Sequence, residues 1–164
     1  MRLYVNEKIL SFHNRYFIKD ESGKDILEIS NNMNLTDFKT CINDLNGKEL
    51  AYIKREFHLL PKYNVFINNN FECSINKQFQ LFKNDYILSN NYRVDGQFLS
   101  HNFTIYNDKN EKVGEIFREY FTIGDRYIID IIDEKDYLLI LTIIVAITRD
   151  IDRSQRATRA SCHN

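Results

Sequence analysis

Apolar and polar residues alternate along most of this chain with the two-residue period of strands that turn one face to a core and the other to water. Tyr63, Val65 and Ile67 share one face and Asn64 and Phe66 the other, while Tyr127, Ile129 and Ile131 oppose Ile128, Asp130 and Ile132. The alternation predicts about twelve strands, near residues 3–5, 15–20, 25–31, 36–43, 49–55, 62–67, 72–76, 85–90, 92–96, 102–107, 112–118 and 126–132. Asp20-Glu21-Ser22-Gly23, Asp44-Leu45-Asn46-Gly47, Asn68-Asn69-Asn70 and Asn107-Asp108-Lys109-Asn110 fall between apolar runs. Their residues tolerate a positive φ or bond their own backbone, which is the chemistry of hairpin turns.

The pattern breaks from Tyr137 to Ile147, an apolar run held between Asp133-Glu134-Lys135-Asp136 and Arg149-Asp150-Ile151-Asp152-Arg153. As a helix it spans roughly 16 Å, about half of a ~30 Å bilayer core, so it is not expected to be transmembrane. A helix apolar on every side needs a protein surround, and the preceding strands are the material for one. Antiparallel strands in this number leave exposed edges unless the sheet closes, and a closed barrel of that size is too wide for its own side chains to fill. The expected fold is therefore mainly β, a closed antiparallel barrel of about twelve strands around a central hydrophobic C-terminal helix. The helix is placed at 134–150, with Tyr137, Leu138, Leu139, Ile140, Leu141, Ile143, Ile144, Val145 and Ile147 as its buried side chains. Acidic residues before its first turn suit the helix dipole. The alternative, a β-sandwich carrying an amphipathic helix, requires a polar stripe, and between 137 and 147 the polar groups are Thr142 and the Tyr137 hydroxyl.

The hairpins repeat. Asn43-Asp44-Leu45-Asn46-Gly47-Lys48 leads to Ile53-Lys54-Arg55-Glu56-Phe57 and Lys62-Tyr63-Asn64-Val65, and Asn107-Asp108-Lys109-Asn110-Glu111-Lys112 leads to Ile116-Phe117-Arg118-Glu119-Tyr120 and Arg126-Tyr127-Ile128-Ile129. Weaker copies run through Glu7-Lys8-Ile9-Leu10 to Arg15-Tyr16-Phe17-Ile18, and from Ile75 to Leu88. A length of 164 residues without a linker-like stretch reads as one domain, taken as 1–152, followed by a basic tail, 153–164, expected to be disordered. A hydrophobic fraction of 43% argues against disorder elsewhere. A net charge of −1 gives no global pull towards nucleic acid, and none is expected as a partner. Cys41, Cys73 and Cys162 are odd in number and widely spaced, which with the absence of a signal-peptide pattern at Met1 points to a cytoplasmic protein with reduced thiols.

Candidate chemistry is sparse. The glycines form neither G-x-G-x-x-G nor a Walker loop, no serine sits in G-x-S-x-G, and His13, His58, His101 and His163 lack metal-ligand spacing. No cofactor, metal or catalytic residue is expected, and the chain is read as a non-enzyme. The dipeptides Arg15-Tyr16, Lys62-Tyr63 and Arg126-Tyr127 each open the second strand of a hairpin, so Arg15, Lys62 and Arg126 should reach similar heights on the barrel. A ring of such cations could hold a phosphorylated head group. The competing reading has each tyrosine packing inward while its basic neighbour faces water.

Ala51-Tyr52-Ile53-Lys54-Arg55-Glu56-Phe57-His58-Leu59-Leu60-Pro61-Lys62-Tyr63, Val94-Asp95-Gly96-Gln97-Phe98-Leu99-Ser100-His101-Asn102-Phe103 and an apolar helix after Tyr127-Ile128-Ile129-Asp130-Ile131 resemble the LURP-one-related family over residues 1 to about 150. That family is similar in fold to the tubby C-terminal domain and the phospholipid scramblases, so the resemblance implies a twelve-stranded barrel threaded by a hydrophobic helix. Tubby-type domains bind phosphoinositide head groups and scramblases act at membranes, which implies an anionic phospholipid as the ligand class. The chain departs from scramblases in lacking their Pro-rich N-terminal region and cysteine cluster. The alternative function is a protein-interaction or scaffold module that recruits a protein partner through exposed strand aromatics.

Overall fold

The computed structural model describes residues 1–6, 15–34, 37–56, 59–80, 83–120 and 126–161. Twelve strands follow in chain order: β1 (Arg2–Asn6), β2 (Arg15–Lys19), β3 (Asp25–Asn34), β4 (Asp37–Asn43), β5 (Glu49–Glu56), β6 (Lys62–Ile67), β7 (Asn70–Gln80), β8 (Lys83–Leu88), β9 (Arg93–Gln97), β10 (Asn102–Tyr106), β11 (Lys112–Glu119) and β12 (Arg126–Ile131). Each pairs antiparallel with its sequence neighbours, and β1 pairs with β12 to close the barrel. One helix, α1 (Tyr137–Ser161), follows β12.

All the strands expected from alternation are present. The largest difference is at β7, expected over 72–76 and observed from Asn70 to Gln80. Lys77 shares the inward face of Cys73 and Ile75, and a lysine at a core-facing position breaks the alternation that marks a strand.

Strand direction gives the barrel two unlike ends. At one end, tight turns join β2 to β3, β4 to β5 and β10 to β11, and the three share one construction. Asp20 accepts from the Ser22 and Lys24 amides at 2.9 and 3.0 Å, Asp44 from Asn46 and Lys48 at 2.9 Å each, and Asn107 from Lys109 and Glu111 at 3.0 and 2.9 Å. The residue three places on has a positive φ in each case: Gly23 at 81°, Gly47 at 83° and Asn110 at 62°. This is the structural basis of the two clear sequence repeats; the copy beginning at Glu7 lies mostly outside the described residues. The same end carries the closure, where Arg2 grips Asp130 through two bonds of 2.6 and 2.7 Å and the Met1 ammonium donates to the Ile131 carbonyl at 2.7 Å.

The helix enters the barrel at this turn end and fills it. From Ile140 to Thr148 every residue is buried, so the side chains that face β2, β6 and β11 are equally dry. Ile140, Leu141, Ile143, Ile144, Val145 and Ile147 are all buried, each contributing about 1.5–3 kcal/mol gross. Tyr137, Leu138 and Leu139 are half-buried at the entrance. The fit is close: a Cβ on Gly114 of β11 would come within 2.5 Å of the Ile140 Cγ2. Thr142 does not break the apolar surface, because its hydroxyl donates to the Leu138 carbonyl at 2.6 Å. The sandwich alternative is thereby excluded.

Two expectations about the helix need correction. It begins at Tyr137 rather than 134, since Asp133 folds back to accept the Lys135 amide at 3.0 Å and the Asp136 carbonyl accepts from Ile140 at 3.0 Å. It also continues to Ser161 instead of giving way to a disordered tail at 153. Nucleation is the costly step of helix formation, and here the barrel has already fixed the preceding turns. Ser154 to Ser161 contains no Gly or Pro to stop propagation, and Arg159 in the last turn suits the negative end of the dipole. Among the described residues, no helix is long and apolar enough to cross a membrane.

Candidate functional site

Even-numbered strands begin at the end opposite the turns, and α1 leaves the barrel there. Arg15, Lys62 and Arg126 are the first residues of β2, β6 and β12, so all three stand on this mouth rim, as their equivalence in the repeats suggests. The structure does not bring them together. Each faces outward and pairs across to a carboxylate on the neighbouring strand: Arg15 with Glu28, Lys62 with Glu56 at 3.0 Å, and Arg126 with Glu119 at 2.6 Å. Their tyrosine neighbours point the other way. Tyr16, Tyr63 and Tyr127 are buried, joined by Tyr86 of β8.

These tyrosines surround the turn of α1 where its apolar surface gives way to charge. Consecutive helix residues are rotated by about 100°, so Arg149, Asp150, Asp152 and Arg153 leave the axis in different directions. Asp150 points at β6, β7 and β8. Its Oδ1 accepts from the Tyr63 hydroxyl at 2.7 Å, and its Oδ2 accepts from the Tyr86 hydroxyl and the Lys77 ammonium, both at 2.8 Å. Asp152 Oδ1 lies 2.9 Å from His101 Nε2, while His101 Nδ1 lies 3.4 Å from the Tyr127 hydroxyl. Arg149 stacks over the Tyr16 ring with its guanidinium carbon 5.6 Å from the centroid, and Arg153 lies over Phe38 at 5.3 Å. A collar of two cations and two carboxylates thus replaces the apolar plug at the mouth.

Burial dominates the electrostatics of the collar. It pushes Tyr16 up to about 12, and it raises Tyr63 and Tyr86 further with the added repulsion of the Asp150 charge beside them. These hydroxyls therefore stay protonated at any physiological pH, and those of Tyr63 and Tyr86 donate to Asp150. Asp150 is only 1% exposed, and a carboxylate so placed is tolerable because three donors, one of them cationic, meet its two oxygens. The collar also holds buried polar atoms with no hydrogen bond among the described residues: the Tyr16 and Thr148 hydroxyls, Arg149 Nε and Nη2, and Asp152 Oδ2.

As chemistry, the collar reads as a clamp. The His101–Asp152 pair has the geometry of an acid–base dyad, and both side chains are close to fully buried, at 7% and 11% exposure. What the pair does is fasten the single-turn 3-10 helix Phe98–Ser100, which His101 ends in a left-handed conformation, to α1. The Cys41 and Cys73 thiols are pushed up to about 12 by burial and stay protonated at neutral pH. Of the other histidines singled out in the sequence, His13, His58 and His163 lie outside the described residues, as does Cys162. Among the described residues, no group of three or more His, Cys, Asp or Glu is placed to hold a metal.

An open groove lies directly above the clamp. It measures about 480 Å³, between the projecting part of α1 on one side and β7 with the 3-10 turn on the other, and its walls include Lys77, Phe98, Leu99, Ile151, Gln155 and Arg159. Ile151, Ser154, Gln155 and Thr158, all lining it, follow the i, i+3, i+4, i+7 spacing of one helix face. Gln155 ties that face to the opposite wall by donating to the Leu99 carbonyl at 3.0 Å. Lys77 is nine-tenths buried and forms the floor. Two of its three N–H groups serve Asp150 and the Ser154 hydroxyl, the latter at 3.0 Å, and the third is available to the groove.

The groove escapes a reading of the sequence because it depends on the helix continuing past 153. The inward tyrosines, by contrast, carry a signal in the repeated basic-Tyr dipeptides. The flanking charges at 149–153 look like the end of an apolar segment and give no sign of their tyrosine partners.

Comparison with known proteins agrees with this architecture. The chain is 22% identical over 149 residues to the uncharacterized protein YxjI of Bacillus subtilis strain 168, covering 90% of this chain and 91% of that one. The X-ray structure of the Arabidopsis thaliana protein AT5G01750 superposes with a TM-score of 0.62 at 16% identity, over 89% of each chain, and at that identity it speaks for the fold alone. The LURP-one-related family model matches residues 1–148, which takes in all twelve strands and the helix as far as Thr148. With barrel, plug and sequence in agreement, the chain belongs to the LURP-one-related family.

Proposed function

We propose that the protein is a non-catalytic, cytoplasmic binding barrel whose mouth groove takes the anionic head of a small amphiphile, with a phospholipid head group as the foremost case. The observation that carries this reading is Lys77. A nine-tenths-buried ammonium with one N–H to spare lies at the floor of a groove whose walls combine Phe98, Leu99 and Ile151 with the Arg159 guanidinium. A phosphate or carboxylate oxygen would complete the lysine's bonding, and the apolar wall would take the first part of a tail.

The test is titration of the intact chain with a soluble short-chain phosphatidic acid, followed by heteronuclear NMR, beside native mass spectrometry of freshly purified protein. Saturable shifts confined to the groove are expected. Thr158→Asp, which adds a negative charge to an exposed groove position, should weaken binding at least tenfold. Absence of saturation at millimolar ligand and low salt would refute the reading. A protein-recruiting role is favoured by a different observation: Tyr52 and Phe66 stack with centroids 4.6 Å apart on the outer wall, and Phe71 beside them is 55% exposed. A stoichiometric partner captured from native extract and lost with Phe71→Ser would support it.

A further inference from the structure

Exposed large apolar side chains occur at both ends of the barrel, but the most exposed stand on the rim around the groove. Met1, Leu45, Phe71 and Ile132 at the turn end are 45–57% exposed, whereas on the rim Leu59 on the β5–β6 connection is fully exposed, Leu99 on the 3-10 turn 74% and Tyr120 after β11 70%. Beside them α1 projects with Arg153, Arg156 and Arg159 along it and no acid after Asp152. The opposite end has an excess of acid, with eight Asp and Glu against five Lys in the turns 20–24, 44–48 and 107–112 and the helix entrance 133–136. A chain of near-neutral net charge therefore carries its positive pole at the mouth and its negative pole at the turns, and such a distribution orients a molecule before it binds.

We infer that the mouth end is a docking surface for an anionic lipid bilayer, with the barrel axis upright on it. Charge complementarity selects the occupant. An anionic leaflet attracts the arginines of the projecting helix, and the leucine and tyrosine tips enter the interface between head groups. Apolar tips without the charge would fit any hydrophobic partner, and charge without the tips would fit any polyanion. Their combination on one rim fits a surface that is charged outside and apolar just beneath. The inference goes beyond the groove and stands on residues that, Leu99 and Arg159 apart, do not line it.

The chain contains no tryptophan, so a single introduced one reports its own surroundings. Leu59→Trp and, as the control at the other end, the exposed turn residue Leu45→Trp are each mixed with large unilamellar vesicles of phosphatidylcholine alone or with 30 mol% phosphatidylserine. A blue shift and quenching by bilayer-embedded brominated lipid are expected for Leu59→Trp with phosphatidylserine vesicles alone, and neither change for Leu45→Trp. Neutralising Arg153, Arg156 and Arg159 together to Gln should weaken co-sedimentation of the full chain by about a hundredfold, at roughly fivefold per charge. Tyr120→Asp should weaken it as well while leaving the soluble head-group titration of the groove unchanged, so failure of docking and failure of the groove reading are told apart. The inference is overturned if the chain does not co-sediment with phosphatidylserine vesicles at low salt, or if the two tryptophans respond alike.

Discussion

The two ends of the barrel are held together in opposite ways. At the turn end the solution is local: a side-chain oxygen of Asp20, Asp44 or Asn107 reaches two backbone amides a few residues on, and the same unit is used three times. At the mouth it is long-range. Tyr63, Lys77 and Tyr86, from three strands, converge on one helix carboxylate between 64 and 87 residues away in sequence. Local closures give a sharp, polar, interchangeable end. The long-range clamp gives an end whose shape depends on the whole fold, and the groove lies at that end.

This contrast can be broken most severely at Asp150. Asp150→Ala strands the Lys77 ammonium in a buried site and is expected to cost about 3–5 kcal/mol in urea denaturation, with much of the loss recovered when Lys77→Met is added. Tyr63→Phe removes one bond to the same carboxylate and should cost about 1.5–3 kcal/mol at neutral pH. That variant also sharpens the comparison through its pH dependence. Burial raises the folded-state pKa of Tyr63 above its unfolded value, so its stabilisation is complete below about pH 10 and is lost as pH rises towards the folded value. Alkaline titration of stability should accordingly be shallower in Tyr63→Phe than in the parent chain. The smallest effect belongs to the turn end, where Asp44→Ala leaves water free to replace the lost bonds and should cost about 0.5–1.5 kcal/mol, measured by thermal unfolding.

What the sequence discloses follows the same division. The strands, the turns and the plug all rest on neighbours in the chain, so alternation, Asp-x-x-Gly spacing and an unbroken apolar run expose them. The outward rim cations Arg15, Lys62 and Arg126 are visible too, because the repeat places them at equivalent strand starts. Their partners Glu28, Glu56 and Glu119 are a different matter, since cross-strand register decides them. Lys77 hides for the same reason. Inside β7 it reads as an interruption, and its role follows from the Asp150 carboxylate brought to it by a helix 73 residues later. The groove was hidden by a boundary: charge at 149–153 ends the apolar run but not the helix.

Because the plug follows every strand in chain order, a nascent chain leaving the ribosome carries a complete wall before it carries anything to wrap that wall around. The seam between β1 and β12 also joins residues about as distant in sequence as the fold permits. Folding therefore has to wait for the last part of the chain, and until then the inward faces of the strands are open to chaperones and to one another.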